Sequence, residues 1–84
     1  MKKYTFEQKL DYNRKRAESD SFARGYVAGA TTYMNYSKFS VVAKEKIKRI
    51  ISLEFSSAKK GVAGGKGFAC GMRDAANERK NAKR

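Results

Sequence analysis

The 84-residue sequence predicts a mainly α fold, a small helical domain of three to four helices, from three observations. It holds no proline, which removes the strongest helix breaker and leaves glycine as the punctuation. Its apolar residues recur at intervals of three and four. Side chains able to accept from helix-start amides, Thr5 and Ser40 among them, stand ahead of the periodic runs. A single core this small buries a modest share of its chain, so residues 1–84 read as one small basic domain that pairing as a homodimer would stabilise. An α+β alternative stays open, with short strands near 31–36 and 49–56.

The first helix is expected to begin at Thr5, whose hydroxyl and Gln8 form a Thr-x-x-Gln capping box. Phe6, Leu10 and Ala17 then share a face, while Arg14, Lys15 and Arg16 oppose the negative end of the helix dipole. Ser19-Asp20-Ser21 offers a second cap, so a break or kink is expected there. A second helix from about Ser21 to Tyr36 places Phe22, Tyr26, Gly29, Tyr33 and Tyr36 on one stripe. Ala23, Val27, Ala30 and Met34 run beside it, which predicts burial on most sides. Thr31-Thr32-Tyr33 also suits a strand, hence the alternative at 31–36.

Ser40 caps a third, basic amphipathic helix. Ala43, Ile47, Ile50, Ile51, Glu54 and Ala58 line one face and Lys44, Lys46, Lys48 and Arg49 fill the rest. Within it, Ile51-Ser52-Leu53-Glu54-Phe55 alternates as a half-buried strand would. Gly61, Gly64, Gly65 and Gly67 predict a flexible loop at 61–67. Phe68, Met72, Ala75 and Ala76 then mark a last helix, followed by a basic tail at 79–84. Phe22-Ala23-Arg24-Gly25 resembles Phe68-Ala69-Cys70-Gly71, each with a small residue four positions on, Gly29 and Ala75. Such spacing lets helix backbones approach, between these two helices or across a dimer.

The inventory argues against an enzyme. There is no histidine, and the carboxylates mostly lie at helical spacing from Lys or Arg, as Asp11 does from Lys15. Cys70 stands alone beside Phe68, Ala69 and Met72, which reads as a small buried side chain and excludes an internal disulfide. No catalytic residue, metal site or cofactor is expected. The charged run Tyr4-Thr5-Phe6-Glu7-Gln8-Lys9 interrupts any apolar leader behind Lys2 and Lys3. The longest charge-free stretch, Gly25 to Ser37, falls short of the roughly 18 residues of a membrane span. A cytoplasmic protein is expected, with no membrane partner.

Charge carries the functional signal. Twenty Lys and Arg against eight Asp and Glu give a net charge of +12. Residues 1–24 hold seven cations against four anions, Lys38 to Arg49 five against one, and Lys59 to Arg84 eight against two. Self-repulsion of that size in a small domain points to a polyanionic partner, with nucleic acid first. The candidate nucleic-acid-binding residues are Arg14, Lys15, Arg16, Lys44, Lys46, Lys48, Arg49, Lys59, Lys60, Lys66, Arg73, Arg79 and Lys80. Backbone contacts of this kind are largely independent of sequence. Gly64-Gly65-Lys66-Gly67 matches the GxxG pattern of a phosphate cradle, without the strands of a KH module or the end of a P-loop. Among aromatic residues able to stack on unpaired bases, Tyr12 beside Arg14 and Lys15 is favoured over Tyr4 and Phe39, while Tyr36 is assigned to the core.

Lys2-Lys3-Tyr4-Thr5-Phe6-Glu7-Gln8-Lys9-Leu10, with Ser19-Asp20-Ser21-Phe22-Ala23-Arg24-Gly25-Tyr26, resembles a small early protein of T-even-type bacteriophages. In length and basicity the chain is similar to the phage inhibitory factors that block the ToxN ribonuclease of type III toxin–antitoxin systems. That resemblance implies an RNA-binding, dimeric protein that neutralises a host ribonuclease toxin within an RNA-containing assembly, in the bacterial cytoplasm during infection. Competing readings are an architectural DNA-binding protein, a direct protein inhibitor of a host enzyme without RNA, and a basic amphipathic helix on anionic lipid.

Overall fold

The computed structural model describes residues 4–82. Four α-helices follow one another: α1 (Phe6–Arg16), α2 (Ser21–Asn35), α3 (Val41–Lys59) and α4 (Ala63–Ala82). A 3-10 turn, Tyr36–Lys38, links α2 to α3. The fold is mainly α, and the α+β alternative falls, because no strand occurs among the described residues and both 31–36 and 49–56 are helical. Weak helix propensity at Thr31-Thr32-Tyr33 is overridden by the packing of the helix that contains it. Ile51 and Phe55 alternate with polar residues, yet at i,i+4 they share one side of α3 and line one groove with α4.

Local chemistry sets the helix starts. Thr5 Oγ1 accepts from the Gln8 amide at 3.1 Å and the Thr5 amide donates to Gln8 Oε1 at 2.9 Å, completing the capping box. Asp20 is the residue chosen from the Ser-Asp-Ser cluster: its Oδ1 accepts from Phe22 at 2.9 Å and Ala23 at 3.2 Å. The amide of Ala23, then that of Phe22 and the nearby Arg16, hold its carboxyl below the usual carboxylate range. Ser40 Oγ accepts from Ala43 at 3.2 Å. Between α1 and α2 the chain breaks at Ala17–Ser19. Arg24 pins that turn by donating to the carbonyls of Ala17 and Glu18 at 3.0 and 3.1 Å.

α3 ends in a Schellman turn. Gly61 donates to the Ala58 carbonyl and Val62 to that of Ser57, both at 3.0 Å, with Gly61 at φ +85°. Here, and only here among the described glycines, a left-handed backbone is required. The loop expected at 61–67 is therefore corrected to Lys60–Val62, since Gly64, Gly65 and Gly67 belong to α4. The basic tail expected at 79–84 is likewise helical through Ala82, and its last two residues lie outside the described residues.

The helical glycines are there for what they lack. A Cβ at Gly25 would collide with the Gly64 carbonyl and one at Gly29 with that of Phe68. In return, a Cβ at Gly67 would strike the Phe22 carbonyl and one at Gly71 that of Tyr26. Numbers rise together on both helices, so α2 and α4 run parallel with their backbones in contact. Packing between the two repeat-bearing helices is thus confirmed. Gly65 gives α3 the same access: its Cβ would stand 2.6 Å from the Ala58 nitrogen and the Glu54 oxygen. α3 lies antiparallel to α4 on one flank of the central pair, and α1 antiparallel to α2 on the other.

The buried apolar set is small: Leu10, Ala23, Tyr26, Ala30, Phe68 and Ala75. Phe6, Val27, Tyr33 and Cys70 pack partly against it. α2 is covered along most of its length, burying Ala23, Gly25, Tyr26, Gly29 and Ala30, with Phe22 and Met34 exposed near its two ends. One expectation about burial needs correction: α3 has no buried residue, and Ile50, on its expected apolar face, is half exposed because only the edge of α3 nearest α4 is covered.

One polar junction joins three helices. Tyr26 of α2 donates its hydroxyl to Asp74 Oδ2 of α4 at 2.7 Å, and Lys9 of α1 lies 3.8 Å from the same oxygen. Arg73 Nε stands 3.8 Å from Asp74 Oδ1. Burial, and then the hydrogen bond to the Asp74 carboxylate, push the Tyr26 phenol well above its ordinary range.

Two measurements test this architecture. Gly25→Ala and Gly29→Ala should each lose about 3 kcal/mol or more, the upper end of overpacking costs, because the obstacle is backbone. Gly64→Ala, whose nearest atom would be at 3.8 Å, should gain up to about 1 kcal/mol of helix propensity. Urea unfolding compares the three, and a Gly29→Ala protein as stable as wild type would refute the backbone contact. For Tyr26, folding raises the pKa, so its contribution is complete below an unfolded value of about 10 and drains as pH climbs from there. The stability difference between wild type and Tyr26→Phe should hold at about 1–2 kcal/mol near neutrality and shrink above pH of about 10. A difference that stays constant through that range would contradict the assignment.

Candidate nucleic-acid interface

Helix direction sorts the thirteen candidate cations into two groups. α1 and α3 run against the central pair, so their C-terminal ends meet the N-terminal ends of α2 and α4. Ser21 and Gly64, near the starts of α2 and α4, are neighbours there. Lys15 and Arg16 from α1, Lys59 and Lys60 from the end of α3, and Lys66 from α4 therefore lie at the same end of the bundle, on either side of the central pair, all exposed; Arg14, also exposed, instead lines a groove with Glu7, Glu78 and Arg79. The helix carbonyls favour cations at the ends of α1 and α3 for a local reason, the dipole, and the fold places those ends at the same end of the bundle.

The second group follows α3 and the far half of α4. Lys46, Lys48 and Arg49 are exposed along α3, and Lys44 is half-buried with its ammonium 5.4 Å from the centre of the Tyr36 ring. Arg73, Arg79 and Lys80 are exposed on α4, Arg73 and Lys80 seven residues apart on one face.

Four of the thirteen have acidic neighbours: Lys15–Asp11 at 3.3 Å, Arg16–Asp20 at 3.6 Å, Lys48–Glu45 at 3.9 Å and Arg73–Asp74 at 3.8 Å. Apart from the half-buried Asp74 these pairs are solvent-exposed or nearly so, and such pairs hold their partners by only ~0–1 kcal/mol. Arg14, Lys44, Lys46, Arg49, Lys59, Lys60, Lys66, Arg79 and Lys80 make no ion pair among the described residues. Lys9 and Arg24, by contrast, serve the fold.

The GxxG reading does not survive. Gly65 and Gly67 are buried against α3 and α2, so Gly64-Gly65-Lys66-Gly67 forms no loop to wrap a phosphate. Tyr12 is exposed as a stacking residue would be, with Arg16 5.3 Å from its ring centre. Tyr36, assigned to the core from its stripe, is instead half-buried at the wall of a groove. The α2 stripe ends where the 3-10 turn rotates the chain. Cys70, expected to be buried, is half-buried in the same groove.

That groove, of about 710 Å³, runs between the 3-10 turn, α3 and α4. Tyr33, Tyr36, Ile51, Phe55 and Met72 form its apolar walls, and Arg73 and Arg79 are its charged residues. Sequence order does not join these side chains, since they come from four elements: the end of α2, the 3-10 turn, α3 and α4. The signal available was the pairing of Ile51 and Phe55 at i,i+4 with Met72, Ala76 and Arg79 at matching spacing on α4. Two other grooves contain carboxylates: one has Glu7 and Glu78, the other Asp11.

Among the described residues no group of His, Cys, Asp and Glu is placed to hold a metal ion. Nor, among the described residues, is any helix long and apolar enough to cross a membrane. No family model, no curated protein and no solved structure matches this chain.

Proposed function

We propose that this chain is a non-enzymatic RNA-binding protein of a bacteriophage that counteracts a host toxin–antitoxin defence, holding the ribonuclease toxin inhibited in an RNA-containing complex. The observation that carries the RNA reading is the set of nine candidate cations that make no ion pair among the described residues, spread over α1, α3, α4 and the shared end of the bundle. A compact domain of net charge +12 with so few internal anions is built to neutralise phosphates, releasing their counterions. The phage setting comes from the resemblance of Lys2–Leu10 and Ser19–Tyr26 to a small early protein of T-even-type bacteriophages, and the choice of RNA and of an anti-defence role from the similarity in length and basicity to the phage inhibitory factors.

A homodimer is part of the same proposal, supported by α3. Val42, Ile50 and Leu53 leave an exposed apolar strip on the flank of α3 away from the groove. A helix held by a single neighbour, with no buried residue, gains most from a second copy.

Binding of a single-stranded RNA should fall steeply with salt, and Lys59→Gln with Lys66→Gln should lower the slope of log K against log salt by about 1.4, near 0.7 per lost phosphate contact. An unchanged slope would remove these lysines from the interface. Purified from infected cells, the protein should carry a 260 nm excess that RNase removes together with the toxin. A toxin complex that survives RNase would favour direct protein inhibition, and tighter binding to duplex DNA at equal salt would favour an architectural DNA role. Leu53→Glu should shift the protein to monomer by sedimentation without loss of helicity. A dimer that persists places the interface elsewhere.

A further inference from the structure

We propose that the groove between the 3-10 turn, α3 and α4 captures an unpaired base of single-stranded RNA, a specification that rests on the RNA-binding reading above. Three observations converge on it. The groove's volume of about 710 Å³ falls in the range of small-ligand sites, and its walls are apolar and aromatic. Among the described residues its only charged lining side chains are Arg73 and Arg79, with no carboxylate, so a base on the walls can leave its flanking phosphates to guanidinium groups. The other two grooves place Glu7 and Glu78, or Asp11, where a phosphate would have to pass.

The third observation concerns Tyr36. Its ring packs against Phe39 edge-on, with centroids 6.5 Å apart, and carries the Lys44 ammonium 5.4 Å from its centre. Those two contacts fix an aromatic ring at the groove wall before any ligand arrives, so little side-chain freedom is lost on stacking. Lys44 adds a cation beside the Tyr36 ring. Aromatic stacking combined with nearby backbone charge is how single strands are held without sequence readout. A duplex, whose bases are already stacked, cannot use the groove and binds through the outer cations alone.

The test compares a 12-nucleotide single strand of RNA, the same strand with abasic residues, and a 12-base-pair RNA duplex, by anisotropy at one fixed salt concentration. Wild type should bind the single strand about tenfold tighter than its abasic form. Tyr36→Ala should erase that difference, Tyr36→Phe should keep it, and duplex affinity should not move. A readout on the wild-type chain needs no variant to fold: Cys70, the single cysteine, lines this groove, and its reaction with a thiol reagent should slow with the single strand and not with the duplex. Salt-dependent binding with equal affinity for intact and abasic strands overturns the base site and leaves the RNA reading standing. Protection of Cys70 that follows protein concentration without RNA also overturns it, since a second copy then covers the groove. Absence of any salt-dependent RNA binding removes the RNA reading itself.

Discussion

At Gly25, Gly29, Gly67 and Gly71 the backbones of two parallel helices touch with no side chain between them, and the rest of the molecule is arranged around that contact. Each helical glycine costs about 1 kcal/mol relative to alanine in an isolated helix. Gly64, Gly65, Gly67 and Gly71 together would leave α4 a poor helix on its own. Tertiary contact must return more than that. It does so by close dispersion contact along the seam and by letting Tyr26, Ala30, Phe68 and Ala75 bury beside it.

A seam built from backbone uses few large side chains, which explains how 84 residues with so many cations still fold. Little apolar surface is needed at the centre, and the outer helices can be strongly basic. The polar junction of Tyr26, Asp74 and Lys9 complements the seam by tying α1 to it through groups that would be costly to bury unpaired. Asp74 is one of few anions drawn inward, and Lys9 beside it is a cation the fold retains.

The same arrangement produces the candidate interface. With α2 and α4 parallel, α1 and α3 both run the other way, and their positively charged C-terminal ends lie at one end of the bundle on either side of the central pair. α3, covered by α4 alone, keeps an exposed basic face and leaves a groove at its inner edge. Charge, groove and exposed strip are three consequences of one helix being half-covered.

Sequence by itself determined the helix starts, the four periodic segments and the positive surface. The hydroxyls of Thr5 and Ser40 and the carboxylate of Asp20 reach amides two or three residues ahead, so their roles are legible in the local order of residues. Lys and Arg in excess are exposed in almost any fold. Only tertiary structure decided which glycines turn the chain and which let helices meet. Gly61 and Gly64 look alike in sequence, yet one needs a positive φ and the other lies in a helix. It also decided that Ile50 faces solvent, that Tyr36 leaves the core for a groove, and that distant lysines share one end. Each of these depends on which helix lies beside which and in what direction, and a pairing between residues as far apart as Gly29 and Phe68 leaves no periodicity in the chain.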